Sequence, residues 1–177
     1  RSIVIPDSVV KMGDQVLSGC TALESVTLSK GLKNIDEHTL QGCVNLKTIL
    51  GNFASADNCA MVVNGVMTTY ALGCGAIDYS IPEGVTVIGD YAFYQCYNLA
   101  EIEMTDNLTV IGDYAFYGCR QINSIVFTND ISSIGDYAFK GCTLLVNFNI
   151  GTGVQRIGAY ALQNCSSLKS VAIPANV

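Results

Sequence analysis

Eight cysteines are the residues of this 177-residue chain whose side chains are most capable of chemistry. A thiolate can act as a nucleophile, bind a soft metal ion or form a disulfide. Six of the cysteines recur with a period of 23, which is broken only between the second and the third: Cys20, Cys43, Cys96, Cys119, Cys142 and Cys165. This series predicts a column of reduced, buried, small side chains, because neighbouring copies point the same way rather than towards each other.

The other two cysteines, Cys59 and Cys74, flank the interruption of that spacing. Two interpretations stay open for them, a disulfide or a pair of exposed or loosely buried thiols. Zinc needs about four ligands at compact spacing, whereas the chain has one histidine and no C-x-x-C motif. We therefore expect neither a metal nor a cofactor.

Catalytic groups of other kinds are equally sparse. His38, the single histidine, occupies the repeat position that later holds tyrosine, so we interpret it as a surface substitute for tyrosine. Glu101 and Glu103 are spaced as a carboxylate pair that could flank a glycosidic bond. Alternate positions of one strand favour a solvated face instead, and we expect no enzymatic activity.

The elements that position these residues are repeats. The string I-G-D-Y-A-F-Y-G-C at 111–119 recurs almost unchanged at 88–96 and 134–142, and more weakly at 12–20, 35–43 and 157–165. Before each string stand two apolar residues separated by one residue, as in Ile102 and Met104, which predicts a short strand with one face inward. One further pair, Val171 and Ile173, follows the last string and predicts another strand. The G-D-Y-A-F stretch predicts a short helical segment that its own aspartate caps.

A fixed period of this length is typical of stacked repeat proteins. The pattern L-x-x-I-x-I followed by I-G-D-Y-A-F-x-G-C resembles the BspA-like leucine-rich repeat family, in the class whose repeat has this same period. The resemblance implies an α/β solenoid: a right-handed superhelix with a parallel β-sheet on the concave side, short helical or 3-10 segments on the convex side, and an inserted hairpin. It also implies an extracellular or cell-surface location and a role in adhesion or protein binding.

We expect one leucine-rich-repeat domain over 1–177, with six full turns from Cys20 and partial turns at both ends. This organisation predicts a fragment of a longer protein, with signal and anchor elsewhere. Residues 53–72 leave the repeat register, and Asn64-Gly65 between β-forming residues predicts a β-hairpin with strands at about 60–63 and 66–70. We expect this hairpin to project from the solenoid, either as a tolerated insertion or as a recognition element.

The tyrosines form the most unusual surface series. Tyr91, Tyr114, Tyr137 and Tyr160 share one repeat position on the predicted convex side. They are expected either to lie flat over the repeat backbone or to form an aromatic row that contacts a partner, because tyrosine is enriched at binding hot spots. The outward strand positions are mostly small and polar, with Glu101 and Glu103 as their local exception. These two groups, together with Asn64 and Gly65 at the hairpin turn, are the candidate partner-binding residues.

Composition narrows the classes of partner. Fifteen acidic residues against nine basic ones give a net charge of −6, which argues against nucleic acid, since phosphate binding needs clustered lysine and arginine. No apolar run approaches the roughly 20 residues that span a bilayer. Two hypotheses remain, a protein-binding or adhesion module that contacts host matrix or cell-surface proteins, and a passive spacer within a larger surface protein. Open solenoid ends also predict end-to-end self-association.

Overall fold

The computed structural model describes all residues, 1–177, as two compact units, Arg1–Gly75 and Ala76–Val177. The first unit contains β1 (Ser2–Val4), β2 (Ser25–Leu28), β3 (Thr48–Gly51), β4 (Ala60–Val63), β5 (Val66–Tyr70) and a 3-10 helix (Leu72–Cys74). The second contains β6 (Asp78–Ser80), β7 (Val87–Ile88), β8 (Glu101–Glu103), β9 (Val110–Ile111), β10 (Ser124–Val126), β11 (Ser133–Ile134), β12 (Asn147–Asn149) and β13 (Arg156–Ile157).

The strands of the repeats stack in parallel, with each residue opposite its equivalent in the next repeat. In the first unit β1, β2 and β3 form one parallel sheet in which Ser2 lies opposite Ser25 and Ser25 opposite Thr48. In the second unit β6 pairs with β8 and β10 with β12 in the same register. The predicted stacking of equivalent side chains is therefore confirmed. The strand expected around Val171 and Ile173 does not form.

A second parallel sheet in the second unit was missed by the sequence prediction. It consists of β7, β9, β11 and β13, each two residues long and placed directly before the G-D-Y or equivalent motif. The second residue of β7, β9 and β11 is an isoleucine with no solvent exposure. Two residues are too few to show the alternation by which a strand is recognised in sequence.

The predicted helical segments after these strands are wrong. Residues 89–95 and their equivalents form successive turns, and Leu72–Cys74 is the only helix of the chain. The aspartates also act differently from the predicted caps. Asp90 accepts a hydrogen bond from the backbone N–H of Asp113, 2.7 Å away and one repeat later, and Asp113 accepts one from Asp136 at the same distance. Their carboxylates thus join neighbouring repeats instead of ending a helix.

The glycine before each of these aspartates is required by the spacing between turns. A Cβ atom on Gly135 would lie 2.5 Å from the backbone nitrogen of Asp113 and from the carbonyl carbon of Gly112. Real Cβ atoms essentially never approach backbone so closely. Close approach of the preceding turn therefore explains this glycine.

The predicted hairpin forms but does not project. Strands β4 and β5 pair antiparallel, and Asn64 and Gly65 make the turn with φ values of 52° and 80°. Met61 and Met67 are completely buried, and Met61 joins the hydrophobic core of the first unit. The hairpin is consequently part of the packing of its unit, because its apolar side chains fill that core.

Stacked apolar columns form the core of the second unit. Phe93, Phe116 and Phe139 have no solvent exposure, and consecutive ring centroids are 4.8 and 5.1 Å apart. Beside the rings, three buried thiols donate to carbonyls of the preceding repeat: Cys119 to Phe93 at 3.0 Å, and Cys142 to Phe116 and Cys165 to Phe139 at 3.2 Å each. Of the six repeat cysteines, all with free thiols, five are buried and Cys20 is half-buried.

Candidate functional site

The tyrosines at the shared repeat position form a continuous stack on the second unit. Centroid distances are 4.9 Å from Tyr91 to Tyr114, 4.7 Å from Tyr114 to Tyr137 and 4.9 Å from Tyr137 to Tyr160. The interplanar angles are 3°, 9° and 20°. Tyr160 is 56% exposed, and the other three are half-buried. The rings therefore stack on one another and present their edges to solvent.

A second, shorter row runs beside this stack. Tyr94 and Tyr117 stack at 5.1 Å, and their rings are tilted by 54° and 42° against Tyr91 and Tyr114 respectively. Lys140 takes the next position of this row. Its Nζ lies 5.9 Å from the Tyr117 ring centre and 5.1 Å from that of Tyr137, within range of a cation–π attraction. We call these seven residues the tyrosine surface: Tyr91, Tyr94, Tyr114, Tyr117, Tyr137, Lys140 and Tyr160.

The backbone places these rings in an unusual conformation. The four stacked tyrosines have φ values of 55° to 60°, a region that costs free energy for any residue with a Cβ atom. Backbone N–H groups stabilise it: Tyr114 donates to the carbonyl of Asp136 at 2.9 Å, and Phe116 donates to that of Ala138 at 2.7 Å. The turn thus builds its own hydrogen-bonded ladder between repeats, which aligns the rings.

Three of the stacked tyrosines have phenols whose pKa is raised by their surroundings. Desolvation raises the pKa of the Tyr91 phenol, and the charge of Asp90 raises it further. Desolvation likewise raises the pKa of Tyr114 and of Tyr137, in both cases with neighbouring tyrosines and Asp136 adding to the effect. At neutral pH these three phenols therefore remain hydrogen-bond donors.

The strand face of the second unit has a different character. Glu101 and Glu103 are exposed on β8, and the Ser80 hydroxyl donates to Glu103 at 2.7 Å. Asp78 joins them around a shallow depression between β6 and β8. No aromatic side chain is exposed on β6, β8, β10 or β12. This face offers carboxylates, small polar groups and the exposed Val126, without the Trp, Tyr or Arg side chains that usually anchor tight interfaces.

The remaining polar candidates are separate from this region. Asn64 is exposed at the hairpin turn of the first unit. His38 is also in the first unit, and its Nδ1 lies 4.0 Å from Asp36 Oδ2. Its backbone N–H donates to the same carboxylate, and neither contact involves a serine or cysteine that could act as a nucleophile. No group of three or more histidine, cysteine or acidic side chains is arranged to hold a metal ion. The single helix, Leu72–Cys74, is too short to cross a bilayer.

The question left open for Cys59 and Cys74 is answered by a disulfide. Their Cα atoms lie 5.8 Å apart, and the bond closes the hairpin at its base. Burial of four column thiols raises the pKa of Cys43 and of Cys165 to about 11 and those of Cys119 and Cys142 still further. Thiolate is the reactive form, so these column cysteines are not candidate nucleophiles.

Comparison with known proteins agrees with this architecture. The sequence matches the family described as BspA type leucine rich repeat region, in six copies over residues 1–58 and 69–177. No curated protein matches the sequence at the level required for significance. A leucine rich cell surface protein from Faecalibacterium prausnitzii A2-165 is similar in structure, with 27% identity and a TM-score of 0.87, over 97% of this chain and 47% of that one.

Two further solved structures share the fold. A leucine-rich repeat protein from Eubacterium ventriosum is 22% identical, with a TM-score of 0.73, over 83% of this chain and 41% of that one. The pneumococcal vaccine antigen PcpA is 18% identical, with a TM-score of 0.69, over 99% of this chain and 61% of that one. The chain thus spans less than two thirds of the length of each. The repeats, their parallel register and the family match over residues 1–58 and 69–177 show that the chain belongs to the BspA-type leucine-rich repeat family.

Proposed function

We propose that this chain is a non-enzymatic protein-binding module of a secreted or cell-surface protein, and that the tyrosine surface makes the contact. Leucine-rich repeats are typical of surface proteins and of protein–protein interaction, and one similar structure is a cell surface protein. In this proposal the repeats wind as a right-handed superhelix. They act as a rigid scaffold for adhesion to host matrix or cell-surface proteins.

The observation that carries the proposal is the concentration of six part-exposed tyrosines and one lysine on a single face. Tyrosine supplies a large contact area at a low cost in side-chain entropy, because it has only two rotatable side-chain torsions. Stacking lowers that cost further, since each ring is already held by its neighbours. Residues held in place before binding make the greater net contribution to affinity.

Glu101, Glu103, Asn64 and Gly65 are secondary candidates for contact. They are small or acidic, and Glu103 is already hydrogen-bonded to Ser80. We expect Glu101 and Glu103 to tune association with a partner by their charge rather than to anchor it, because exposed charges change association rates more than affinity. Asn64 and Gly65 are uncharged, and we expect them to add only small contacts at the hairpin turn.

The alternative is a passive spacer that holds other domains at a distance. The strand face favours it, since its exposed side chains are mostly small or polar and no aromatic residue interrupts them. A spacer needs no exposed tyrosine series, however, and polar residues could replace these rings at lower risk of non-specific association.

Binding to immobilised extracellular-matrix and mucosal surface proteins, measured by surface plasmon resonance, tests the proposal. The protein is compared with a Tyr114→Ala, Tyr137→Ala variant and with a matched Glu101→Gln, Glu103→Gln variant on the strand face. Binding that the tyrosine variant weakens at least tenfold, and the glutamate variant leaves within threefold, supports the proposal. Light scattering on the same samples separates partner binding from end-to-end self-association.

Equal loss in both variants would contradict the assignment of the surface. Absence of binding to every protein of the panel, by a folded sample, would favour the spacer. Circular dichroism and urea unfolding of each variant establish that the fold is retained.

A further inference from the structure

We propose that the tyrosine surface binds a proline-rich segment of its protein partner in the polyproline II conformation, an inference that rests on the proposed function. Such a segment is an extended left-handed helix with three residues per turn and no internal hydrogen bonds. Aromatic-lined grooves are the usual receptors for it. The argument here depends on ring orientation, spacing and hydrogen-bonding capacity.

Ring orientation limits which ligands can dock. Tyr114 is covered on both faces, by Tyr91 at 3° and by Tyr137 at 9°. Tyr137 is covered in the same way by Tyr114 and Tyr160. Flat ligands such as a nucleobase or a sugar ring need a free aromatic face, and the interior of the stack offers none. What it offers is a row of ring edges and hydroxyls, which suits an elongated polymer lying along the row.

The spacing of the row matches one polymer better than others. Consecutive rings are separated by 4.7–4.9 Å. A polyproline II helix rises about 3.1 Å per residue, so one turn of about 9.3 Å corresponds to about two steps of the stack. An α-helix has a pitch of about 5.4 Å. Its turns would therefore move out of register with the rings by more than about half an ångström from each ring to the next. A proline-rich segment can therefore repeat the same contact at every second tyrosine.

Hydrogen-bonding capacity is also complementary. The surface presents phenolic hydroxyls and the Lys140 ammonium as donors, while the nearby carboxylates of Asp90 and Asp113 already accept backbone N–H groups. Proline has no N–H, and the backbone carbonyls of a polyproline II helix have no internal partner. A donor-rich surface thus meets an acceptor-rich, uncharged segment. The net negative charge of the chain, −6, is no obstacle to such a ligand.

The second row gives the surface its width. Tyr94 and Tyr117 are inclined to the main stack by 54° and 42°. Two inclined rows can contact two sides of a helix that has a triangular cross-section, as three residues per turn produce. Lys140 ends the second row in place of a third tyrosine and adds a charged donor at that point.

The test uses a twelve-residue polyproline peptide as the probe and isothermal titration calorimetry as the measurement. The chain contains no tryptophan, so the tyrosine fluorescence gives an independent readout with a non-aromatic peptide. We expect saturable binding, and at least tenfold weaker binding of a glycine–serine peptide of equal length. Tyr114→Phe and Tyr117→Phe each remove one hydroxyl while keeping the ring, and each should weaken binding about three- to tenfold.

Tyr97→Phe is the matched control. Tyr97 is 46% exposed but lies over Arg120, outside both rows, and its hydroxyl should not matter. Equal binding of the glycine–serine peptide, an equal loss in the control variant, or no saturable binding of polyproline would overturn the inference. If polyproline fails while matrix-protein binding still depends on Tyr114 and Tyr137, this inference falls and the proposed function stands.

Discussion

The phenylalanine column allows the stacking of repeats to be measured as a coupling energy. Phe116 lies between Phe93 and Phe139, at 4.8 and 5.1 Å, with interplanar angles of 10° and 6°. Aromatic pairs of this kind contribute about 0.5–1.5 kcal/mol beyond their buried area. Replacing Phe116 by leucine removes two such pairs while keeping an apolar side chain. We expect the free energy of unfolding to fall by about 1–3 kcal/mol.

A double-mutant cycle isolates the contact itself. Phe116→Leu and Phe139→Leu change rings in contact, so their effects should be non-additive by about 0.5–1.5 kcal/mol. Phe93→Leu and Phe139→Leu change rings two repeats apart, with Phe116 between them, and their effects should add within about 0.5 kcal/mol. Urea unfolding followed by circular dichroism provides each free energy.

The two cycles together decide whether equivalent side chains of consecutive repeats are immediate neighbours. Additive effects for Phe116 and Phe139 would show that the rings do not interact and would refute the stacked arrangement. Equal coupling in both cycles would show that the variants disturb the unit as a whole, so that the coupling could not be assigned to a ring pair.

Three further predictions follow from the packing between turns. Gly135→Ala should lower the free energy of unfolding, measured in urea, by about 1–3 kcal/mol. Gly13→Ala is the control, because a Cβ there has its nearest neighbour at 3.8 Å, and it should be neutral or slightly stabilising. An equal cost at both positions would contradict the close approach of the turns. Reduction of the Cys59–Cys74 bond should lower the unfolding free energy by about 2–4 kcal/mol, and an unchanged urea midpoint with dithiothreitol would oppose this. Burial raises the pKa of Cys43 to about 11, whereas the thiol of the unfolded chain ionises at about pH 8.5. The contribution of this thiol to the unfolding free energy should therefore be complete below about pH 8.5 and decline towards about pH 11. A Cys43→Ala variant with the same pH dependence would exclude this thiol as a cause.

The tyrosine surface shows how far residue patterns reach towards a binding site. The common position of Tyr91, Tyr114, Tyr137 and Tyr160 is visible in the sequence, and so is the tendency of aromatic residues to contact a partner. Their face-to-face stacking is not visible, because it depends on a positive φ that tyrosine seldom adopts. The neighbouring positions of Tyr94 and Tyr117 are visible in the repeat as well, whereas the part of Lys140 is not, since it interrupts the aromatic pattern and joins the rings only through a contact in space.

The sequence by itself determined the repeat period, the parallel register and the hairpin turn at Asn64-Gly65. It could do so because a repeat copied along the chain places each side chain beside its own copy, and because Asn-Gly suits the positive φ values of a tight turn. Local residue chemistry is sufficient for both.

The contacts that join neighbouring turns, and those that hold the hairpin, are visible only in the tertiary structure. The two-residue strands, the aspartate bonds to the next repeat, the burial of the hairpin and the Cys59–Cys74 bond all depend on distances between segments that are remote in sequence. The expected helices failed for the same reason: the N–H groups of 89–95 that a helix would use internally donate in part to carbonyls of the following turn. Stacking thus outweighed the local preference for a helix.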